Sequence, residues 1–497
     1  MDPLSFLLCW SPVFLLIVLA VILKRPALEM SVYGTVFALV LVTVFFATPV
    51  QVALLSALDG LLTTTPLVLV IFAGIMLSSL LMASGSLKRI VDWFMGGVRD
   101  GFHRSLLITL GVGNFMEGAG VIAEPVVAPM LAAAGVAPRG AAALSIVGYA
   151  GLMTLEMAGI FITVLALITE LPLAQLGLAS AWLSIPATLS MAAVVPFFLG
   201  RPLPGPGRWL LVLACGALLG FAALAVVAWL AVSIAGMVAG LALILALVLV
   251  GSGRLPLNRR VLMDLAPFLF LLAVLLLVNA VGPLKGLVFE RLSFKVSLIP
   301  VHVITLRPLY SAYLYLALAA LLAIKIFGFK GEMLRQILAS GAAKAVRASA
   351  AMLLFGAMGQ VIAYSGYGPG FAQMNQASNI PWIMAQGLIH YTHSLYPLFT
   401  PFLGWVGTFL TGYGVASLML FGKLQVQGGE LLGQSPTWLA SGLAVGASLG
   451  SISSPFKIAL AAPMCGALGQ EGAILRYTIP LGVAASLLVG LVLWLVI

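Results

Sequence analysis

The chain is written in long apolar blocks parted by short polar, glycine- or proline-rich breaks. A helix crosses a bilayer with about 20 apolar residues. Runs of that size fall at 4–23, 28–47, 66–84, 140–168, 173–199, 208–227, 231–250, 264–284, 308–326, 347–366, 436–468 and 473–497. They predict about twelve spans. Strand-length alternation is absent along the chain, so the reading is an all-α polytopic membrane protein and not a β-barrel. Two further apolar stretches, 105–134 and 396–431, are cut by Gly and Pro. They are expected to be re-entrant hairpins, helices that turn back at depth. Residues 4–23 have no basic segment before them and no small-residue cleavage site after them, so they read as a span and not as a signal peptide.

Composition sharpens this. Of 497 residues, 62% are hydrophobic and 8% charged, where a soluble domain carries about 25% charge. A soluble fold is therefore excluded. The net charge of +10 does not imply nucleic-acid binding, because its placement has another cause. Lys24, Arg25, Lys88, Arg89, Arg99, Arg104, Arg139, Arg201, Arg208, Arg254, Arg259, Arg260, Lys325, Lys330, Arg335, Lys344 and Arg347 all fall on one side of an alternating layout. The positive-inside rule makes that side cytoplasmic and puts both termini outside. Residues 285–307 break the pattern with Lys285, Arg291, Lys295 and Arg307 on the outer side. They suggest an interfacial helix with snorkelling side chains, or a weak steering patch for anions. Cys9, Cys215 and Cys465 lie far apart in apolar surroundings, with no metal or disulfide spacing.

An internal echo organises the chain. FMEGAGV at 115–121 aligns with FLTGYGV at 409–415. Each follows a span ending in Ser-Gly, Ser84-Gly85 and Ser365-Gly366. Each precedes a broken span containing Val-Gly, Val147-Gly148 and Val445-Gly446, and then a last long span. The layout sends the first hairpin in from the cytoplasm and the second from outside. Residues 28–199 and 308–497 then form inverted repeats, with 1–27 a peripheral span and 200–307 linking spans and a loop. Inverted repeats with broken helices mark secondary transporters. Free N–H groups at a half-helix start attract anions. The alternative for the glycines is close helix packing.

Three acids fall at depth: Glu117, Glu124 and Glu156. Each costs about 2.5–3.5 kcal/mol at the bilayer centre unless it is paired, protonated or facing a cavity. A protonated carboxyl moves through oil far more cheaply than a carboxylate, which suits these residues to proton coupling. The alternative is a structural hydrogen bond to the hairpin backbone. In the second half, SISSPFKIAL (451–460) breaks a span and adds Lys457, either a ligand for a substrate carboxylate or the partner of one of the acids. Candidate substrate contacts are Gly118, Gly120, Glu124, Tyr149 and Thr154 in the first half. In the second they are Thr411, Gly412, Tyr413, Ser417, Ser453, Ser454 and Lys457. His390 and His393 read as interfacial or titrating residues, and Asp264 as a helix N-terminal acid. No H-E-x-x-H or similar motif points to an enzyme. Neither a cofactor nor a metal is expected.

PFLGWVGTFLTG (401–412), with Leu420-Phe421 after it, resembles the lactate permease family's P-F-L-G-W-x-G-x-F-L-T-G. Ala363-Tyr364-Ser365-Gly366 and Gly469-x-Glu471-Gly472-x-Ile474-Leu475-Arg476-x-Thr478 are similar too. Ser454-Pro455 with Ile458-Ala459 matches S-P-Q-x-I-A, and Glu117-Gly118-Ala119 with Pro125-Val126 matches E-G-A-A-G-F-G-x-P-V. The likeness covers much of 105–170 and 350–480, and little of 200–345. It implies a carrier of lactate and glycolate with protons across bacterial inner membranes, built from inverted repeats and hairpins that move as an elevator. The chain departs from the pattern at Phe456 in place of Gln, at the added Lys457, at Glu124 and Glu156, and in the run Tyr413–Leu418. These changes imply an altered polar site. The expected function is secondary transport of a small organic anion, a 2-hydroxy monocarboxylate such as lactate or glycolate or a related acid, coupled to protons. A sodium-coupled carrier of another anion is the alternative, and a channel or intramembrane enzyme is the alternative of another class. The expected partners are the anion, its coupling ion and the bilayer. The oligomeric state is left open, with a homodimer among the options.

Overall fold

The structure is a computed structural model that describes residues 3–98, 100–200, 202–251, 255–256 and 258–497. Arg99, Arg201 and Arg254 of the basic series lie outside the described residues. Proline opens many of the helices and left-handed glycine closes several. α1 (Pro3–Ile17) ends in a wide turn and leads to α2 (Ala27–Val44), which starts after Pro26. α3 (Val50–Ala83) starts after Pro49 and stops at Gly85, whose φ is 71°. α4 (Ser86–Gly96) is short and amphipathic.

α5 (Gly101–Leu106) is capped by Asp100, which accepts hydrogen bonds from the N–H groups of Phe102 and His103. It runs through a wide turn, Leu107–Val112, into α6 (Gly113–Gly118). After a break the chain returns as α7 (Glu124–Ala133), packed back against that wide turn. α8 (Pro138–Ala150) and α9 (Ile160–Thr169) are the limbs of the broken helix expected over 140–168. α10 (Leu173–Phe198), α11 (Pro206–Trp229), α12 (Ala235–Val250) and α13 (Arg259–Ala280) follow.

Residues 285–307 differ from the expected interfacial helix. Helical turns, α14 (Gly282–Lys285) and then Gly286–Arg291, give way to an antiparallel hairpin of β1 (Phe294–Ile299) and β2 (His302–Leu306). The reason is local: KVSLIPVHVITL is rich in β-branched residues in short alternation, a strand signal masked by the basic residues. The expectation of a chain without strand-length alternation is corrected here.

α15 (Ala312–Phe327) and α16 (Gly331–Ala363) lead through a loop to α17 (Ile380–Thr392). α18 (Tyr396–Thr411) turns at Gly412 into α19 (Gly414–Leu432), which packs back along it. α20 (Pro436–Leu449) breaks and continues as α21 (Pro455–Ala461), and α22 (Glu471–Val496) ends the chain.

Among the described residues, nine helices are long and apolar enough to cross a membrane, and a broken pair bent by 49° makes a tenth. The expected tally of about twelve also counted the short α15 and the broken limbs α8 and α9. Leu210, Trp229, Leu249 and Leu495 are each more than 70% or close to 70% exposed on outer faces, as apolar side chains are where lipid is the solvent. The protein is a multi-pass membrane protein.

Three span boundaries moved for physical reasons. α3 starts at 50 and not 66, because Thr63, Thr64 and Thr65 turn their hydroxyls onto carbonyls of their own helix and Asp59 is paired. α16 starts at 331 and not 347, with an exposed charged first half. α13 starts at Arg259 behind an Asn258 cap, so Asp264 is not an N-terminal acid: Arg89 grips it with bonds of 2.8 and 2.6 Å.

The two long helices α3 and α16 run antiparallel. Gly60 faces Gly356 at one end, and Met76 faces Gly341 at the other. A Cβ on Gly60 would stand 2.7 Å from the Ala357 Cα, so the contact is backbone to backbone. α2 packs on α16, and α15 on α3. Farther along the chain, α7 packs on α21 and α19 on α9. Each returning arm thus rests on the second limb of the other half's broken helix.

Candidate functional site

The first break forms because α6 runs out at Gly118 and Gly120 takes a left-handed φ of 77°. The N–H groups of Ala119, Gly120 and Val121 close the last turn onto Phe115, Glu117 and Met116. Pro125 then opens α7. Glu117 spans the gap: its Oε1 accepts the Ala123 N–H at 2.8 Å. The last acid of one helix therefore holds the start of the next.

Glu124 faces the second half. Its Oε1 accepts the Tyr149 hydroxyl at 2.5 Å, and the Tyr149 oxygen accepts a proton of Lys457 Nζ at 2.7 Å. Lys457 Nζ also lies 3.5 Å from Glu124 Oε1 and 4.7 Å from the Tyr149 ring centre. The side chains are nearly dry, 14% exposed for Lys457 and 2% for Glu124. A buried ion pair with a tyrosine bridge thus links the start of α7 to the second broken helix. Of the partners open to Lys457, Glu124 is the one in contact.

Glu156 sits in the break between α8 and α9. It is fully buried, and neither carboxyl oxygen has a hydrogen-bond partner among the described residues. The next three residues, Met157, Ala158 and Gly159, all have positive φ, at 48°, 55° and 75°. Such strain costs of order 1–3 kcal/mol per non-glycine residue and concentrates at functional sites. The Glu156 side chain lies against Gly236, where an added Cβ would stand 2.6 Å from its Cγ.

In the second half, Ser454 caps α21 by accepting the Lys457 N–H at 3.4 Å. That cap sets the first turn from which Lys457 reaches across. The other tip turns at Gly412, φ 80°, and Tyr413 packs its ring on Phe456 with centres 5.1 Å apart. Gly414 abuts Met153 and Phe161 of the first half. Met153 Sδ in turn accepts the Ser451 hydroxyl at 3.0 Å.

The structure thus gathers Glu117, Glu124, Tyr149, Glu156, Lys457 and Ser454 into one buried region, with Gly412 and Tyr413 joined to it through Phe456. Other candidates point elsewhere. Thr154 bonds the Ala444 carbonyl at 3.4 Å, and Ser417 the Gly404 carbonyl at 2.8 Å. Ser453 bonds the Thr478 carbonyl and accepts Trp405 Nε1. Thr411 bonds the Gly407 carbonyl of its own helix at 2.7 Å. Gly118 is pressed against Gly236 and Met237, and Gly120 faces Leu316. His390 and His393 are exposed at the end of α17.

One buried cluster escaped the sequence reading. His302 of β2 bonds Asp59 Oδ2 at 2.6 Å and the Leu167 carbonyl at 2.9 Å, and Gln360 Nε2 reaches Asp59 at 3.2 Å. Burial works to lower the His302 pKa, but the hydrogen bond and charge of Asp59 outweigh it and raise it. The cluster clips the hairpin to α3 and to the end of α9. Its signal was Asp59 inside VQVALLSALDGLLTTTP, a stretch too polar to be read as a span. Among the described residues no group of three metal-ligating side chains is present.

Discontinuous helices that meet inside a helical bundle recur in secondary transporters. The chain belongs to the L-lactate permease family, whose profile matches residues 5–251 and 223–497. It is 32% identical over 151 residues to an L-lactate permease of Salmonella typhi, covering 30% of this chain and 27% of that one. It is 36% identical over 101 residues to a glycolate permease of Escherichia coli (strain K12), 20% of this chain and 18% of the relative. An L-lactate permease of Streptococcus iniae matches at lower identity and greater length: 24% over 452 residues, 86% of this chain and 91% of that protein. The matched stretch is well under two thirds of the length of the first of these relatives.

Proposed function

We propose that the protein is a secondary carrier of a small hydroxy-acid anion of the lactate or glycolate type, coupled to protons. The observation that carries this reading is the Lys457–Tyr149–Glu124 chain beside the unpartnered Glu156. The region holds three carboxyls and one ammonium group. A further anion enters such a site cheaply only with a proton, so anion and proton arriving together leave the buried charge unchanged. In this scheme the substrate carboxylate takes Lys457 as one carboxyl, Glu117, Glu124 or Glu156, takes up the proton. Gly412, Tyr413 and the start of α21 supply further donors.

The matching order of elements supports reading 28–199 and 308–497 as inverted repeats. α2 and α15 open the halves, and α3 and α16 follow with 34 and 33 residues. α10 and α22 close them with 26 residues each. In this proposal the two folded-back helix pairs are re-entrant hairpins, and they move with the broken helices against α3 and α16 as an elevator. The setting is the bacterial inner membrane with both termini outside.

Purified protein in proteoliposomes tests the reading. Lactate or glycolate should enter saturably and accumulate with an imposed inward proton gradient. Glu117→Gln, Glu124→Gln and Glu156→Gln are then compared, and the one that keeps exchange but loses accumulation carries the proton. Accumulation that follows a sodium gradient, or undiminished proton-driven accumulation in all three variants, would sink the proposed coupling.

A further inference from the structure

A narrow crevice lies beside the central site, between the β-hairpin, the start of α15 and the first turn of α9. Arg307 lines it, with Thr163, Ser233, Thr305 and Ser311. The guanidinium is held in place: its Nε donates to the Phe289 carbonyl at 3.0 Å, and its plane lies over the Phe289 ring with a centre distance of 4.1 Å. The terminal nitrogens have no hydrogen-bond or ion-pair partner among the described residues, although the residue is only partly exposed. Burial lowers its pKa, with no carboxylate to offset it.

A guanidinium fixed at one edge and unpaired at the other suits a carboxylate, which it can hold with two parallel bonds. The lining also includes the start of α9, Gly159 and Ile160, where no side chain caps the helix. Its positive end adds to the preference for an anion. The strained residues Met157–Gly159 separate this crevice from Glu156. We infer that the crevice is an access subsite that captures a small monocarboxylate on Arg307 before it passes the 157–159 turn. The inference rests on the carrier reading for its cargo, but its anion chemistry stands on Arg307 alone.

The probe is Thr305→Cys, a crevice position whose side chain makes no hydrogen bond among the described residues, and the native cysteines are all buried. Its labelling rate by a charged methanethiosulfonate is measured with and without lactate, glycolate or acetate. Monocarboxylates should slow labelling several-fold. Arg307→Gln should abolish that protection and raise the uptake KM roughly ten- to hundred-fold. Arg307→Lys, which keeps the charge and loses the fork, should give a smaller shift and serves as the test if the Gln variant does not fold. No protection by any of the three acids, or equal protection without the guanidinium, overturns the subsite. Protection by acetate in a protein that transports neither lactate nor glycolate would uphold the subsite while rejecting the proposed cargo.

Discussion

The first tip turns at Gly120 with φ 77° and the second at Gly412 with φ 80°, two places apart in the aligned motifs, where Gly412 stands opposite Gly118. At the first, α7 packs back on the wide turn that precedes α6; at the second, α19 packs back along α18; and each returning helix leans on the other half's broken helix. Their side chains differ completely. Glu117 and Glu124 flank the first turn, while Thr411 and Tyr413 flank the second without a charge. The broken helices reverse this, with acid Glu156 in the first and cation Lys457 in the second. The comparison teaches that the backbone device is shared and the charge is divided. Within the buried site neither half supplies the counter-charge to its own ionisable groups, and the Lys457–Glu124 contact makes one half's folding depend on the other's chemistry.

Removing the cation tests that dependence most severely. Lys457→Met leaves Glu124 dry and unpaired, at a cost of about 3–5 kcal/mol. We expect a large fall in the thermal unfolding temperature of detergent-purified protein, along with lost uptake. The Lys457→Met/Glu124→Gln double variant should recover most of the stability and none of the transport. Equal stability of the single and double variants would show that the pair does not bind the halves together.

The glycines test the shared backbone. A left-handed alanine costs about 1–2 kcal/mol at either tip. The surroundings then differ. A Cβ on Gly120 meets the mobile end of Leu316 at 3.2 Å, while one on Gly412 meets the fixed Phe456 Cβ at 2.9 Å. Gly412→Ala should therefore destabilise more than Gly120→Ala, by about 1 kcal/mol or more. A chemical-denaturation series that ranks them the other way would break the equivalence of the two turns.

Much of this arrangement was legible in the sequence because apolar length, Gly–Pro breaks and buried charge are local signals. The breaks at 119–123, 156–159, 412–413 and 450–454 fall where glycine, proline and serine cluster. The starts of α3 and α16 were not legible. Threonines that bond within their own helix, and an Asp paired with a residue far along the chain, look polar in sequence but not in the fold. The site was read to the level of residue types. Which acid meets Lys457 depends on tertiary packing, and so does the turning of Thr154, Ser417 and Ser453 away to carbonyls.

Glu156 sharpens the comparison from the other side. An acid without partners is a burden that Lys457 does not share. Glu156→Gln should raise stability, by about 1–3 kcal/mol if the native group is charged, and should impair pH-driven uptake. A fall in unfolding temperature would reveal an ionic partner absent from the present arrangement.

The smallest effect on folding is expected at Tyr413. Tyr149 contacts Lys457 directly, while Tyr413 packs on the neighbouring Phe456. The Tyr149 hydroxyl lies between Glu124 and Lys457, so Tyr149→Phe loses bonds to charged groups, worth about 1.5–3 kcal/mol each. The Tyr413 hydroxyl has no hydrogen-bond partner among the described residues, and its ring contact with Phe456 survives in phenylalanine. Tyr413→Phe should leave stability within about 0.5 kcal/mol. Its effect then separates two roles for the uncharged tip. If the hydroxyl meets the anion, KM rises while the unfolding temperature holds. If both stay unchanged, the second tip contributes shape and backbone alone, and the chemistry of recognition lies with the first half and Lys457.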